Sequence, residues 1–134
     1  MSDMRARIED FVSRRSWAVV GVSSNPEKFG YKVFATLLDS GYQVQGVNIK
    51  DGEVLGHRIY PSLADLPEKP EVVNVVVPPR ATEQIVRQCA ELGLTRVWMQ
   101  PGAESEEAIR FCKDNGIEVV WDACAMVHRR QSWD

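Results

Sequence analysis

The sequence predicts an α/β fold, and three observations support this prediction. Short continuous apolar runs, such as residues 17–22, are typical of strands that are covered on both faces of a sheet. Segments with apolar residues at helical spacing alternate with these runs along the chain. Glycine or proline follows most of the segments and marks where they end. Strands that alternate with helices imply a mostly parallel, Rossmann-like sheet with helices on both faces.

The composition bounds the size and class of the protein. A chain of 134 residues, 44% hydrophobic and 26% charged, is long enough for a core of its own, so residues 1–134 are predicted to form one domain. A net charge of −3 supplies no basic field for nucleic acid, so any affinity for phosphate must be local.

The sequence also indicates where the protein works. No segment is apolar over the length of a membrane span, and the first residues lack the layout of a signal peptide. The three cysteines, Cys89, Cys112 and Cys124, have no C-x-x-C spacing, which favours a reducing compartment over a disulfide framework or a zinc site. We therefore expect a cytoplasmic protein without a membrane partner.

The first half of the chain has the signals of a leading helix and two strands joined by a second helix. The leading helix lies within residues 1–15, where Ser2 or Asp3 is the predicted cap. The strand at residues 17–22 leads into a helix that ends at Gly41, and a second strand covers residues 43–48. Asp51-Gly52 then signals a turn, and Gly56 with Tyr60-Pro61 suggests a short hairpin or edge segment before a brief helix at residues 62–66.

The second half continues this alternation. A strand at residues 72–77 is stopped by two prolines, and a helix with apolar residues from Ile85 to Leu92 ends at Gly93. A strand at residues 95–99 is followed by a helix at residues 104–115 and a last strand at residues 117–121. The tail, residues 122–134, has no clear period and is predicted to be an irregular segment, a loop or a short helix over the edge of the sheet, with Trp133 loosely held.

The loop after the first strand is the first candidate for a binding site. In such a fold it directs backbone N–H groups and the positive end of a helix dipole at any anion bound there. The dinucleotide fingerprint G-x-G-x-x-G would need a second glycine where the chain has Ser23, so the glycine signal alone is weak. Ser23 and Ser24 instead offer hydroxyl and N–H donors for a phosphate. The alternative is that Gly21 only allows the helix to pack closely on the strand.

The end of the second strand favours a ligand with an extra phosphate. An NAD site would have Asp or Glu there, roughly twenty residues after the glycine loop, to accept the ribose hydroxyls. This chain has Asn48 and Lys50, and a lysine favours NADP or coenzyme A with its 3′-phosphate. Asp51 weakens the argument, and Lys50 as a solvated turn residue is the alternative.

Four segments are expected to meet at one edge of the sheet. Ligands of open α/β sheets bind beyond the carboxyl ends of the strands, where the strand order reverses. The segments predicted at this edge are residues 21–30, 48–50, 77–79 and 100–102.

The chain resembles a known family over residues 16–130. The resemblance rests on Gly21-Val22-Ser23-Ser24-Asn25-Pro26-Glu27-Lys28-Phe29-Gly30, Val47-Asn48, Tyr60-Pro61-Ser62-Leu63, Val77-Pro78-Pro79, Val97-Trp98-Met99-Gln100 with Gly102, and Asp122 with Cys124. This ordered set is similar to the small bacterial and archaeal CoA-binding domain proteins and to the N-terminal domain of the succinyl-CoA synthetase alpha subunit.

The resemblance implies a domain that binds coenzyme A. The first loop would hold the diphosphate, the end of the second strand would lie near the adenosine, and the two prolines after Val77 would shape the nucleotide slot. The resemblance favours Ser23, Ser24, Lys28, Asn48 and Lys50 as contacts. The full set of ligand-binding residues predicted on this basis is Gly21, Val22, Ser23, Ser24, Pro26, Lys28, Phe29, Gly30, Asn48, Lys50, Val77, Pro78, Pro79, Gln100 and Gly102.

The sequence departs from the family pattern in two ways. Many relatives carry an arginine where this chain has Ala123, which puts the ligand contact of that arginine in doubt. The ligase domains of succinyl-CoA synthetase and its phosphorylated histidine are absent, and neither His57 nor His128 replaces that histidine by position. The resemblance therefore implies binding and does not imply acyl-CoA synthesis.

The residues offer little for catalysis. His57 stands alone in a turn-rich segment, and a nucleophile–base pair of Cys124 and His128 depends on a tail without predicted structure. The glutamates near the start of the helix at residues 104–115 complement its dipole, and no metal-ligand spacing occurs.

Three functions follow from these observations. The first is a non-catalytic CoA or acyl-CoA binding module, acting as a carrier, sensor or partner subunit, with another protein or a second copy as partner. The second is an enzyme, either an NADP-type oxidoreductase or a CoA-transferring enzyme completed by another chain. A chain of this length leaves no room for a domain that would hold a substrate against a nicotinamide. The third is a fold that binds no nucleotide and serves only in assembly.

Overall fold

The computed structural model describes residues 3–50 and 52–133. Ser2 as a helix cap and Asp51 as a turn residue lie outside the described residues. The elements in the first half are α1 (Met4–Val12), β1 (Ser16–Val20), α2 (Phe29–Asp39), β2 (Gln43–Val47), β3 (Gly52–Val54), β4 (His57–Tyr60) and a 3-10 helix (Leu63–Asp65). The second half contains β5 (Val72–Val75), α3 (Pro79–Leu92), β6 (Arg96–Met99), α4 (Glu106–Asp114), β7 (Glu118–Val120) and α5 (Ala125–His128).

The described strands form one sheet in the order β3-β4-β2-β1-β5-β6-β7. Neighbouring strands are parallel except for the β3–β4 pair, which confirms the predicted mostly parallel sheet. Val20 of β1 is level with Val47 of β2 and with Val75 of β5, so the carboxyl ends of the three central strands lie side by side. The chain leaves β1 toward β2 and later returns to the other side of β1 as β5, which makes this edge the point where the strand order reverses.

Both faces of the sheet are covered, which explains the continuous apolar run in β1. Trp17 and Val19 point into a core that includes Phe11 of α1 and Phe34 of α2. Ala18 and Val20 point into the opposite core, which includes Val86 of α3 and Cys112 of α4. A strand between two such cores has no solvent-facing side, so polar residues do not alternate with apolar ones.

Two junctions differ from the prediction. Gly52, predicted to lie in a turn, is the first residue of β3, and the turn of the predicted short hairpin is at Leu55-Gly56, where φ is 53° and 79°. Positive φ at both central residues gives the turn that suits a two-residue hairpin. Pro79 is the first residue of α3, so this helix begins six residues before the predicted apolar face at Ile85. A proline at this position lacks only an N–H that would have no helical partner.

The tail contains the short helix α5, which is one of the two forms predicted for it. The prediction of a loosely held Trp133 is wrong. The indole of Trp133 donates to the carbonyl of Ser40 at 2.9 Å and meets the Tyr42 ring edge-on at 4.9 Å between centroids. The guanidinium carbons of Arg15 and Arg130 each lie 5.0 Å from the centroid of the indole. Ser40, Tyr42 and Arg15 are far from Trp133 in the sequence, so no local sequence pattern indicates these contacts.

None of the helices in residues 3–50 and 52–133 combines the length and the apolar character needed to cross a bilayer.

We expect the three thiols to react at very different rates. Burial raises the pKa of Cys89 and of Cys112 to about 12, so both thiols stay protonated in the folded protein, whereas Cys124 is partly exposed. Titration with a chromogenic disulfide at about pH 8 should modify Cys124 first, and Cys124→Ser should remove the fast phase. Denaturant should release all three thiols. Fast modification of Cys89 or Cys112 in the folded protein would contradict the burial of these side chains.

Candidate functional site

The loop after β1 is shaped by an unusually close approach of three backbone segments. Gly21 has a φ of +106°, and a Cβ atom there would lie 2.2 Å from the carbonyl oxygen of Val76. A Cβ atom on Gly30 would lie 1.9 Å from the carbonyl oxygen of Gly21. Because backbone cannot yield as a flexible side chain can, only glycine fits at either position. The first turn of α2 therefore packs directly against the end of β1, through backbone contacts that only glycine allows.

This packing leaves backbone donors free at the start of α2. Lys28 caps the helix without a side-chain hydrogen bond, and the N–H groups of Phe29 and Gly30 donate to no acceptor among the described residues. The N–H groups of Ser23 and Ser24 are likewise without an acceptor in the described part of the chain. Such N–H groups, together with the partial positive charge of the helix end, suit an anion.

The side chain of Asn48 connects this loop to the end of β2. Its amide nitrogen donates a short hydrogen bond to the carbonyl of Val22, and its amide oxygen accepts from the N–H of Lys50 at 3.0 Å. The N–H of Asn48 donates to the carbonyl of Tyr60 at 2.9 Å. Asn48 thereby positions the loop, the bend that carries Lys50 and the end of β4 relative to one another.

Two pockets open at the carboxyl edge, and Asn48 lines both. The first, here called the apolar pocket, has a volume of about 480 Å³ and lies between the ends of β1, β2 and β5 and the first turns of α3. Its lining residues are Val20, Gly21, Val47, Asn48, Ile49, Pro61, Ser62, Val76, Val77, Pro78, Ala81, Gln84, Ile85 and Gln88.

The second, here called the polar pocket, has a volume of about 410 Å³ and lies between the loop and the hairpin. Its lining residues are Val22, Ser23, Ser24, Asn48, Lys50, Gly52, Glu53, Val54 and Ile59. The hydroxyl of Ser23 accepts from the N–H of Asn25 at 3.0 Å and keeps its own proton free to donate. Lys50 supplies a positive charge and Glu53 a negative one, so a phosphate in this pocket would be attracted by the first and repelled by the second.

The structure brings part of the predicted site together. Gly21, Val77 and Pro78 line the apolar pocket, Val22, Ser23, Ser24 and Lys50 line the polar pocket, and Asn48 lines both. Pro26, Lys28, Phe29, Gly30 and Pro79 line neither pocket. Phe29 is 63% exposed, with the ammonium of Lys32 5.7 Å from its ring centroid. Contact of any of these residues with a ligand remains a prediction.

Gln100 and Gly102 lie beyond the end of β6 and line neither pocket. The buried Gln100 oxygen accepts from the N–H of Ala125 at 2.7 Å and from the amide of Asn74 at 3.2 Å. The N–H of Gly102 donates to the carboxylate of Glu104, at 3.0 Å to its nearer oxygen. Gln100 therefore attaches the start of α5 to the sheet.

Sequence reasoning missed the α3 wall of the apolar pocket. Ala81, Gln84, Ile85 and Gln88 recur at the spacing of one helix face. This signal is present in the sequence, but it is recognisable only when the helix begins at Pro79. Ile49, which is 91% exposed, lies in the predicted edge segment 48–50 but was not among the predicted ligand-binding residues, because a single apolar residue in a turn has no period.

The structure does not form the nucleophile–base pair considered for Cys124 and His128. The sulfur of Cys124 lies 3.4 Å from the amide nitrogen of Gln100, and the His128 ring lies 6.2 Å from the Trp98 ring between centroids. Among the described residues no hydrogen bond joins the two side chains. The carbonyl of Ala123 accepts a hydrogen bond from the indole of Trp98 at 2.8 Å.

Comparison with known proteins identifies relatives over most of the chain. A family model described as "CoA binding domain" matches residues 15–130. The chain is 34% identical to the alpha subunit of ADP-forming acetate–CoA ligase II of Pyrococcus furiosus, over 87% of this chain and 28% of that subunit. It is 31% identical to the uncharacterized protein YneT of Bacillus subtilis, over 92% of both chains. The chain thus spans little more than a quarter of the ligase subunit and nearly all of YneT.

Solved structures agree with these matches. A hypothetical protein from Pyrococcus horikoshii OT3 superposes with a TM-score of 0.88 at 34% identity, covering 95% of this chain and 89% of that chain. The dinucleotide-forming acetyl-coenzyme A synthetase 1 of Candidatus Korarchaeum cryptofilum superposes with a TM-score of 0.70 at 27% identity, covering 84% of this chain and 27% of that chain.

Gly30→Ala tests the close approach at the loop. Helix propensity alone would make this substitution stabilising by up to about 1 kcal/mol, because alanine is the better helix former. The clash with the carbonyl of Gly21 predicts the opposite sign, a loss of about 2 kcal/mol or more in the free energy of unfolding. Urea denaturation gives this free energy, and Lys32→Ala, an exposed site in the same turn, is the control. A Gly30→Ala variant at least as stable as the wild type would refute the close approach.

Proposed function

The chain belongs to the CoA-binding domain family, and we propose on this premise that it binds coenzyme A or an acyl-CoA at the carboxyl edge of the sheet. In this proposal the protein is a non-catalytic binding module, acting as a carrier, a sensor or a partner subunit. The observation that carries the proposal is the pair of adjoining pockets, one apolar and one lined by hydroxyls and a lysine.

The two pockets suit the two parts of the nucleotide end of coenzyme A. An adenine base has apolar faces that match valine, isoleucine and proline side chains, which line most of the apolar pocket. The phosphates need hydrogen-bond donors and positive charge, which Ser23, Ser24, Lys50 and the start of α2 supply. Because Asn48 is the wall common to both pockets, one ligand can extend from one into the other.

The 3′-phosphate is assigned to Lys50. Lys50 lines the polar pocket, whereas Lys28, the other lysine among the predicted contacts, lines neither pocket. In this assignment the diphosphate lies at the free N–H groups of the loop and of the first turn of α2. The pantetheine arm would leave along the edge toward the end of β6.

Several observations favour binding over catalysis. Among the described residues no hydrogen bond joins the side chains of Cys124 and His128, and His57 is exposed, with its ring 5.9 Å from that of Phe34 between centroids. The ligase subunit that this chain resembles is more than three times as long as the matched part. A second candidate is a CoA-transferring enzyme completed by another chain, since the name of that relative describes a subunit of a ligase.

The free thiols of all three cysteines agree with a cytoplasmic location.

Thermal unfolding with added ligands tests the proposal. The protein is heated with CoA, acetyl-CoA, dephospho-CoA, NADPH or NAD, each at a series of concentrations. A ligand that binds only the folded state adds about 2.7 kcal/mol at a hundred times its Kd, which shifts the midpoint by several degrees. We expect a shift with CoA and acetyl-CoA and a smaller one with dephospho-CoA. A response to NADPH without one to CoA would replace the proposal by a dinucleotide site, and no response to any ligand would favour an assembly role.

Lys50→Ala tests the assignment of the 3′-phosphate. The variant should bind CoA about tenfold more weakly, because it loses one charge-assisted contact in an exposed site. Its affinity for dephospho-CoA, which has no 3′-phosphate, should not change. Isothermal titration calorimetry measures both values, and Lys69→Ala, close to Gly93 at the opposite edge of the sheet, is the control. Equal weakening for both ligands would place Lys50 elsewhere on the nucleotide.

A further inference from the structure

We propose that Gln84 and Gln88 of α3 are the residues that recognise the polar edge of the adenine base. The inference rests on the proposed function, because it concerns the same site. It goes further by assigning base recognition to two side chains outside the loop and the end of β2.

Few polar side chains line the apolar pocket. Asn48, Ser62, Gln84 and Gln88 are the polar residues among those that line it. Asn48 is occupied, since its amide holds the carbonyl of Val22 and the N–H of Lys50. The hydroxyl of Ser62 donates to the carboxylate of Asp65 at 2.8 Å. Among the described polar residues that line this pocket, only Gln84 and Gln88 have amides with both donor and acceptor groups unused.

The two glutamine amides lie together on one side of the apolar pocket. Gln84 and Gln88 are four residues apart, so they lie one above the other on the same face of α3. Ala81 and Ile85 belong to the same pocket wall and give it an apolar surface beside the amides. Gln84 is exposed and Gln88 half-buried, so both are at the rim, where water still reaches their amides when the pocket is empty.

A glutamine amide is complementary to the polar edges of adenine. Adenine presents the N6 amino donor beside an acceptor on each of its two edges, N1 on one and N7 on the other. A glutamine amide carries an acceptor oxygen and donor hydrogens at matching spacing, and it can therefore bind either edge in a bidentate manner. An adenine inserted with its faces against Val77 and Ile49 would otherwise lose water from this edge without replacement, which is unfavourable. The amides at the rim supply that replacement.

The test compares CoA with 1,N6-etheno-CoA, in which a two-carbon bridge joins N1 and N6. The bridge removes the N6 donor, which belongs to both edges, and leaves the phosphates and the pantetheine unchanged. Wild-type protein should bind CoA about tenfold more tightly than etheno-CoA. In the Gln84→Met/Gln88→Met double variant this preference should fall to about twofold or less, mainly through weaker binding of CoA. Methionine has a similar length and is a good helix former, so α3 should be retained, which circular dichroism checks.

The control is Gln43→Met, at the exposed amino end of β2, which should keep the tenfold preference. If the double variant keeps the wild-type preference, or if the wild type shows none, the inference is overturned while CoA binding itself still stands. If the wild type binds neither ligand, the proposed function fails together with the inference. The single variants, measured in the same way, assign the preference to one amide or to both.

Discussion

The close contact of Gly30 with Gly21, and of Gly21 with Val76, is the constraint on which the candidate site depends. It joins the start of α2, the end of β1 and the segment after β5 through backbone atoms alone. The helix start therefore points at the place where the strand order reverses, and its free N–H groups stay together. Asn48 extends this arrangement to the end of β2 through its amide. A single rigid edge results, with one pocket on each side of Asn48.

The fold and the four segments of the carboxyl edge were predictable from the sequence, because each depends on a regular period or on a breaker residue. Apolar runs identified the parallel strands, and glycines or prolines marked their ends. Gly56 indicated the short hairpin, whereas Leu55 as the first central residue of its turn was not predictable, since leucine seldom adopts a positive φ. The prolines at positions 78 and 79 were interpreted as a stop for β5 and as part of the nucleotide slot, but not as the start of a helix. Since Pro79 also begins α3, the face with Gln84 and Gln88 was overlooked.

Gln100 shows why a polar residue at a strand end is ambiguous in sequence. The same position can face a ligand or hold a neighbouring segment, and the choice depends on whether the chain folds over it. In this protein the tail folds over Gln100. The N–H of Ala125 donates to the Gln100 side chain, and the indole of Trp98 donates to the carbonyl of Ala123. The contacts of Trp133 with Ser40 and Tyr42 anchor the far end of that tail. Each contact joins residues far apart in the chain, so no local pattern could indicate them.

In the proposed function, the two halves of the site contribute by different means. The diphosphate is assigned to backbone N–H groups, whose positions depend on glycine packing and not on the identity of neighbouring side chains. This explains how Ser23 can stand where the dinucleotide fingerprint has glycine without loss of donors. The 3′-phosphate and the base are assigned to side chains, Lys50 on one side and the α3 amides on the other. Substitutions in these side chains can therefore change which nucleotide is preferred while the loop that holds the diphosphate keeps its geometry.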